Sequence, residues 1–361
     1  MGCLCPKSLH VEQTENLDSL NIEDSSITPS SFRTLKVVGR GNYGKVVLVE
    51  KTGTSDYYAM KILKKKFIKE KNQRQQSKTE RMILAKASCP FIVKLFWAFQ
   101  DKKNLYMVLE YLSGGELFFH LSQQGVFSEI RARFYVVEIV LGLEYLHENN
   151  IIYRDLKPEN IVLDSKGHIR LTDFGLSKEY LSSDQKTQTL CGTAEYLAPE
   201  IIKGAEYNKA VDFWSLGAVM YYMLSGAPPH YSKNKAQIFK NVLTKPVEAV
   251  LSATNSANEL IMSLLKVDPN ERLNNMIQLK AHEWFSGVNW TDAYEKKMEP
   301  PFKPRVKATS DTSNFDKIFT NEKPDDTIES LQISTPGGHY SGFTYKDSSM
   351  NSRNSKQFFK T

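Results

Sequence analysis

Residues 151–163 have the sequence IIYRDLKPENIVL, a loop of charged and amide side chains between two short apolar runs. The flanking isoleucine, valine and leucine residues are types that folded chains bury. Placing charged groups beside buried segments costs free energy unless those groups are paired or used. We therefore expect this loop, with Asp155, Lys157 and Glu159 at its centre, to belong to a functional site.

A glycine-rich turn lies upstream of this loop. Residues 39–46 (GRGNYGKV) fit the pattern G-x-G-x-x-G-x-V, and strand-like runs lie on both sides of them. A dinucleotide-binding turn has similar glycines, but it should open a helix, whereas the run VVLVE continues as a strand. Glycines let such a hairpin lie close over phosphates and donate backbone N–H groups, because no Cβ intervenes.

The segments after this turn supply a lysine and a glutamate. Lys61 follows Ala59 and Met60 in the strand-like run YYAMK, so its side chain should point into a cleft. A helical stretch, basic at first (KKKFIKEKNQRQQSKTERMILAKA, residues 64–87), follows and contains Glu80. We expect Glu80 to pair with Lys61.

Further motifs surround the opening loop. Residues 153–160 (YRDLKPEN) match the pattern H-R-D-L-x-x-x-N, with Tyr153 in the position of the histidine. TDFGL, APE and DFWSLG follow in that order along the chain. We expect Glu200 of APE to pair with Arg272, and Asp212 of DFWSLG to brace the loop.

Seven such motifs in one order, on the expected strands and helices, resemble the eukaryotic protein kinases over about residues 32–285. The resemblance implies an α+β, two-lobed protein kinase fold, with a small β-rich N-lobe and a larger, mainly helical C-lobe. We expect a flexible arm over residues 1–31, the catalytic domain over 32–285, a C-terminal extension over 286–347 and a flexible tail over 348–361.

Two features narrow the resemblance to the AGC group of serine/threonine kinases. Lys157 is absent from the corresponding loop of tyrosine kinases, while Tyr153, TERMIL, GGELFFHL and TLCGTAEYLAPE are similar to AGC sequences. The tail segments EPPFKPRV, SDTSNFDKIFT and YSGFTY resemble the AGC C-terminal extension, with Tyr340 in place of the usual phenylalanine. The protein kinase B, ribosomal-protein kinase and glucocorticoid-induced kinase branches are not separated by these motifs.

The resemblance implies a role for each site residue. Asp155 would accept the proton of the substrate hydroxyl, Lys157 would neutralise the transferred phosphate, and Lys61 would hold the α/β-phosphates with support from Glu80. Asn160 and Asp173 would hold Mg²⁺ or Mn²⁺. ATP would be held by Val38, Gly39, Arg40, Gly41, Asn42, Tyr43, Gly44, Lys45, Val46, Ala59, Lys61, Leu109, Glu110, Leu112, Glu116, Val162, Thr172 and Phe315.

The resemblance also implies regulation by phosphorylation. Thr189 lies where an upstream phosphoinositide-dependent kinase modifies AGC members, and Arg154 and Lys178 would receive its phosphate. The alternative is an ordinary surface threonine. Thr327 and Thr344 lie at the turn-motif and hydrophobic-motif positions, and we expect Gln100 to contact a phosphate on Thr344.

Substrate preference follows from the same comparison. Glu116 and Glu159 match positions where AGC kinases bind arginine upstream of the acceptor, although Glu116 could serve the ATP ribose alone. Tyr222 replaces a glutamate that reads arginine at position −2 in cAMP-dependent kinase. We therefore predict basic substrates with arginine at −3 and a weaker demand at −2.

Composition predicts a soluble, cytoplasmic protein. The 361 residues carry a net charge of +6, a mild basic excess that gives no reason to expect a nucleic acid partner. Four scattered cysteines suit a reducing compartment, and no apolar run approaches the about 20 residues that span a bilayer. The start, MGCLC, nevertheless suggests membrane association through acylation of Gly2, Cys3 and Cys5, although Pro6 departs from the myristoylation pattern.

Two other classes of function compete with a kinase. A pseudokinase scaffold usually lacks the lysine, a metal ligand or the base, but Lys61, Asp155, Asn160 and Asp173 are all present. A membrane-tethered adaptor would depend on Gly2 and not on Asp155, which a pair of substitutions can test.

Overall fold

An antiparallel six-stranded sheet forms the N-lobe, and from one edge to the other its strands are Phe32–Gly41, Gly44–Lys51, Tyr57–Lys64, Asn104–Glu110, Leu95–Gln100 and Tyr345–Lys346. The computed structural model describes residues 27–41, 44–180, 187–324 and 338–350. The strands are β1 (Phe32–Gly41), β2 (Gly44–Lys51), β3 (Tyr57–Lys64), β4 (Leu95–Gln100), β5 (Asn104–Glu110), β6 (Gly115–Glu116), β7 (Ile151–Ile152), β8 (Ile161–Leu163), β9 (Ile169–Leu171), β10 (Lys178–Glu179) and β11 (Tyr345–Lys346).

Helices dominate the C-lobe, and three more lie against the N-lobe sheet. They are α1 (Lys65–Glu70), α2 (Arg74–Lys86), α3 (Leu117–Gln124), α4 (Glu129–Glu148), α5 (Pro199–Ile202), α6 (Ala210–Ser225), α7 (Lys235–Thr244), α8 (Asn255–Leu264), α9 (Met276–Lys280), α10 (Trp290–Tyr294) and α11 (Lys317–Thr320). The predicted two-lobed α+β fold is therefore confirmed.

Helices α4 and α6 form the centre of the C-lobe. Both are apolar on most of their surface, as expected of helices that are buried on all sides. Ser128 caps the start of α4, since its side chain accepts a hydrogen bond from the Arg131 N–H. Gly226 ends α6 in the left-handed conformation that glycine tolerates best. These two helices support the loop of residues 153–160, called the catalytic loop below.

The basic stretch that follows β3 is divided into two helices instead of one. Helix α1 ends before Lys71, and Asn72 adopts a positive φ of 52°. Asparagine is among the few residues besides glycine that enter the left-handed region at modest cost. The break lets α2 turn and carry Glu80 toward the sheet.

The tail returns to the N-lobe. Strand β11 pairs antiparallel with β4, where Tyr345 lies opposite Ala98. Helix α11 packs near β1, and its Phe319 contacts the apolar core of the sheet. The tail therefore contacts the sheet at two places. Within the described residues, no helix is both long and apolar enough to cross a lipid bilayer.

Candidate active site

A cleft of about 530 Å³ lies between the two lobes. Sixteen of the residues predicted to hold ATP line it: Val38, Gly39, Arg40, Gly41, Gly44, Lys45, Val46, Ala59, Lys61, Leu109, Glu110, Leu112, Glu116, Val162, Thr172 and Phe315. The remaining two, Asn42 and Tyr43, lie outside the described residues. Apolar side chains from both lobes thus line the same cleft as the charged side chains of Lys61, Asp155, Lys157 and Asp173.

The glycine-rich hairpin forms the roof of the cleft. Strands β1 and β2 pair antiparallel up to Gly41 and Gly44. A Cβ on Gly44 would stand 1.7 Å from the backbone oxygen of Ile62, so only glycine fits where β2 approaches β3. This glycine is fixed by packing within the sheet in addition to any contact with a phosphate.

The ammonium group of Lys61 joins two carboxylates at the back of the cleft. Its Nζ lies 2.6 Å from Oε1 of Glu80 and 2.9 Å from Oδ1 of Asp173. Burial disfavours the charged lysine, but Asp173 and Glu80 outweigh burial and raise the pKa of Lys61 above its usual range. The same attraction to Lys61 lowers the pKa of Asp173. The predicted pairing of Lys61 with Glu80 is present; burial raises the pKa of Glu80, and the charge of Lys61 opposes that shift.

The catalytic loop holds Asp155 in a network of donors. Lys157 Nζ donates to Asp155 Oδ2 at 2.8 Å, and Asn160 Nδ2 donates to the same oxygen at 2.9 Å. Burial raises the pKa of Asp155, and Lys157 opposes that shift. Thr193 joins the network by accepting a hydrogen bond from Lys157 at 2.9 Å, a contact that the sequence analysis did not predict although Thr193 lies in the segment TLCGTAEYLAPE. A carboxylate held this way can accept a proton from a hydroxyl at defined geometry.

Asp212 braces the loop from below, as predicted. Its carboxylate accepts the backbone N–H groups of Tyr153 at 3.0 Å and of Arg154 at 2.8 Å. His147, which the sequence did not single out, binds the same carboxylate at 2.7 Å. Arg154 has a φ of 68°, a strained conformation that the two backbone hydrogen bonds help to maintain. The Tyr153 hydroxyl donates to the backbone oxygen of Thr172, which ties the loop to the segment before Asp173.

Asn160 and Asp173 present oxygen atoms that suit a hard cation. The Nδ2 of Asn160 donates to Asp155, whereas the Oδ1 of Asn160 makes no hydrogen bond among the described residues. Oδ1 of Asp173 accepts hydrogen bonds from Lys61 and from the Gly175 N–H. Oδ2 of Asp173 accepts none from the described residues. Among the described residues no cluster of three or more acidic, histidine or cysteine groups could hold a metal alone. Such a pair fits Mg²⁺ or Mn²⁺ that is shared with phosphate oxygens.

Thr189 is exposed on the activation segment, the part of the chain that runs from the TDFGL motif to the APE motif. The two predicted phosphate receptors have other partners in the unmodified chain, since Lys178 Nζ donates to Thr187 Oγ1 at 3.0 Å. Arg154 donates to the Tyr207 hydroxyl at 3.1 Å. The hydroxyls of Thr187 and Thr189 lie 3.4 Å apart, so a phosphate on Thr189 would lie near Lys178.

The end of this segment is fixed by a buried ion pair. Arg272 lies 2.6 Å and 2.8 Å from the two carboxylate oxygens of Glu200, as the sequence predicted. Both residues are buried. The pair anchors the segment to the helical lobe.

The hydrophobic motif is docked on the N-lobe. Tyr340 and Phe343 are buried, and Thr344 between Phe343 and β11 is exposed. The predicted contact between Gln100 and a phosphate on Thr344 stays a prediction. Gln100 exchanges two hydrogen bonds with the Tyr340 backbone, at 2.9 Å and 3.0 Å, because it ends the strand beside which the motif lies.

Carboxylates gather at the front of the cleft, where Glu116 and Glu159 both line it. Burial, together with the charges of Glu159 and Asp316, raises the pKa of Glu116 to about 7. Oε2 of Glu159 is buried and makes no hydrogen bond in the described part of the chain. Asp316, in the tail, was not predicted as a member of this group. Such a site is suited to a cation that supplies the missing partner.

Phe315 reaches the cleft from the tail. Its ring stacks on Tyr111, with the ring centres 5.8 Å apart, and the Tyr111 hydroxyl donates to the backbone oxygen of Asp311 at 2.6 Å. The tail thereby closes the edge of the space that Val46 and Ala59 line from the N-lobe, as predicted. Thr327 lies outside the described residues.

Comparison with known proteins agrees with this geometry. The family model described as "Protein kinase domain" matches residues 32–285, and that described as "Protein kinase C terminal domain" matches residues 306–358. "Serine/threonine-protein kinase Sgk1" of Xenopus tropicalis is 45% identical over 329 residues, or 88% of this chain and 79% of the frog protein. The human protein of that name is also 45% identical over 329 residues, with 76% of its length covered.

Proposed function

The chain belongs to the protein kinase family and is a serine/threonine-protein kinase with an AGC-type C-terminal extension; on this premise we propose that it is an active, Mg²⁺-dependent kinase of basic protein substrates. The observation that carries the proposal is the joining of two polar networks in one cleft. Lys61, Glu80 and Asp173 form the first, and Asp155 with Asn160 centres the second.

The geometry supports phosphate transfer from ATP to a hydroxyl. Lys61 is charged and faces the cleft, where it can bind the phosphates and orient them. Lys157 lies beside Asp155 and can offset charge on the transferred group, while Asp155 accepts the hydroxyl proton. A divalent cation on Asn160 and Asp173 would neutralise phosphate charge when bound. These side chains supply positioning and electrostatic stabilisation, which this chemistry chiefly requires.

Substrate preference rests on the acidic group at the front of the cleft. Glu116 and Glu159 share a partly dehydrated space with one buried oxygen unsatisfied, so a guanidinium would gain charge-assisted hydrogen bonds there. By its likeness to AGC kinases, this space takes arginine at position −3. Tyr222 offers no carboxylate, so the demand at −2 is weaker.

Activity is raised by phosphorylation. Thr189 and Thr344 are both exposed and so are accessible to an upstream kinase of the phosphoinositide-dependent type. A phosphate on Thr189 would compete for Lys178 and Arg154, which now bind Thr187 and Tyr207, and would order the segment around the substrate. Thr327 is the third proposed phosphosite, on the sequence alone.

The protein acts in the cytoplasm, partly at membranes. Gly2, Cys3 and Cys5 are the proposed acylation sites, and two chains anchor far better than one. Metabolic labelling with a clickable myristate tests this: we expect label on wild type and none on Gly2→Ala.

One experiment tests the catalytic proposal. Wild-type protein and Asp155→Asn, each with and without phosphate on Thr189, are incubated with Mg²⁺-ATP on an arrayed peptide library. We expect transfer to serine and threonine peptides with arginine at −3, stimulated by Thr189 phosphate and reduced at least about 100-fold in Asp155→Asn. Equal, background-level transfer by both proteins, with ATP still bound, would identify a pseudokinase scaffold instead.

A further inference from the structure

A lysine-rich face covers one side of the N-lobe and has no part in the active site. It is built from helix α1 with its flanks and from the turn between β4 and β5. The two segments adjoin, because the Lys65 N–H donates to the backbone oxygen of Lys103 at 2.8 Å. The basic face consists of Lys64, Lys66, Lys69, Lys71, Lys102 and Lys103.

The charge on this face is not neutralised within the lobe. In the described part of the N-lobe, the ion pairs use other cations, namely Arg33, Arg40, Lys61, Lys86 and Lys94. Two acidic residues, Glu70 and Asp101, lie in these segments. Asp101 is occupied, since its carboxylate accepts the N–H groups of Lys103 and Asn104 and the hydroxyl of Tyr106. The face therefore sets four exposed lysines (Lys66, Lys69, Lys71 and Lys102) and two half-buried ones (Lys64 and Lys103) against two carboxylates.

An aromatic side chain lies at the centre of the basic face. Phe67, on α1, is 40% exposed, and the Lys64 ammonium lies 5.8 Å from its ring centre. Among the described residues of the N-lobe, it is the one large apolar side chain that is exposed. Lysines around an exposed aromatic ring are typical of surfaces that lie at the boundary of an anionic membrane.

The position of the basic face suits such a role. None of its six lysines, nor Phe67, lines the cleft, so the face can be occupied while the cleft binds substrate. Arg74 and Lys65 are not members of it, because they bind the docked tail through the backbone oxygens of His339 and Gly338. In the sequence, the proposed acylation site at Gly2 precedes β1 of the same lobe.

We propose that the basic face binds anionic lipid bilayers, with the lysines contacting headgroups and Phe67 entering the interface. A short acyl chain alone holds a protein weakly, and a basic surface is a common second signal. The surface acts independently of catalysis, so a kinase-dead protein retains it.

The experiment uses the full-length chain made in bacteria without an acyl transferase, so that only the protein surface can bind. Co-sedimentation with phosphatidylcholine vesicles, with and without phosphatidylserine, measures the affinity. We expect binding only with phosphatidylserine and a loss of binding at high salt. The triple variant Lys66→Glu/Lys69→Glu/Lys71→Glu should weaken binding by about 100-fold or more.

A matched control separates the face from net charge. Lys233→Glu/Lys235→Glu/Lys240→Glu changes three exposed lysines of the C-lobe and alters the net charge by the same amount. We expect it to weaken binding by less than about threefold, because these residues lie outside the face. Transfer of phosphate to a short peptide should be unchanged in both triple variants, which shows that they fold.

A third variant tests whether Phe67 enters the membrane interface. Phe67→Ser keeps all six lysines but removes the apolar group, and we expect it to weaken vesicle binding by about tenfold. Full vesicle binding by Phe67→Ser would overturn the entry of Phe67 into the interface, since the lysines alone would then account for the binding. Equal losses in the two triple variants, or no binding to phosphatidylserine vesicles, would overturn the proposal as a whole.

Discussion

Replacing Arg272 by methionine should destabilise the C-lobe more than most single substitutions can. The Arg272 guanidinium is fully buried and pairs with Glu200 through both carboxylate oxygens. It also donates to the backbone oxygens of Ala210 at 2.9 Å and Lys266 at 3.0 Å, and lies 5.3 Å from the centre of the Trp214 ring. Arg272→Met leaves a buried carboxylate without a cation.

The expected magnitude follows from these contacts. Removing one partner of a buried ion pair costs about 3–5 kcal/mol of unfolding free energy. The double variant Arg272→Met/Glu200→Leu removes the stranded charge as well, and apolar replacements of buried pairs are often close to neutral. It still loses the two hydrogen bonds that Arg272 donates to the backbone oxygens of Ala210 and Lys266, which costs about 1–3 kcal/mol. We therefore expect the double variant to be more stable than Arg272→Met, by about 2 kcal/mol.

Urea denaturation followed by tryptophan fluorescence measures the effect, since Trp214 lies against the altered site and Trp284 is buried in the same lobe. The single variants and the double variant form a double-mutant cycle. A loss below about 1 kcal/mol in Arg272→Met, or a double variant no more stable than the less stable single variant, would refute the reasoning. Either result would mean that water reaches Glu200 and solvates its charge.

Three further predictions concern activity and the tail. Lys61→Met removes the cation between two carboxylates and should lower kcat at least about 100-fold with the fold retained, as steady-state assays and circular dichroism can check. Glu116 must be ionised to pair with arginine and its pKa is about 7, so the KM for an arginine −3 peptide should fall about tenfold from pH 6 to 8. A peptide KM with the same pH profile in Glu116→Gln would contradict this. Tyr340→Ala should expose the tail to limited proteolysis, whereas Tyr340→Phe should not, because the phenylalanine ring keeps the contacts with the Lys65 and Arg74 cations. If Tyr340→Phe were cleaved as fast as Tyr340→Ala, the docking of the tail would depend on the hydroxyl instead.

Local spacing explains why much of the site could be predicted from the sequence. Asp155, Lys157 and Asn160 lie within six residues of one loop, so any fold that orders the loop brings them together. Lys61 on β3 and Glu80 on α2 lie only 19 residues apart, and a buried lysine needs a carboxylate close by. The order of strands and helices then determines the lobes, because amphipathic segments can bury their apolar faces in few ways.

Contacts between distant segments could not be derived in the same way. Thr193 reaches Lys157 only because the activation segment folds back over the loop, and Asp316 reaches Glu116 only because the tail crosses the cleft. Gln100 illustrates the same limit, since its amide is occupied by the Tyr340 backbone once the tail lies along β4. The sequence pattern around each residue therefore could not predict these contacts.

The polar loop with which the sequence analysis began shows how such contacts make a costly segment stable. Its backbone N–H groups at Tyr153 and Arg154 bind the buried carboxylate of Asp212, which comes from a helix more than fifty residues later. Within the loop, Asn160 donates twice to Asp155, and Lys157 supplies the charge that Asp155 needs. Since these groups satisfy one another, their burial costs less than the burial of unpaired groups would. Its acceptors and donors therefore stay fixed, so a substrate hydroxyl meets them without reorganising the site.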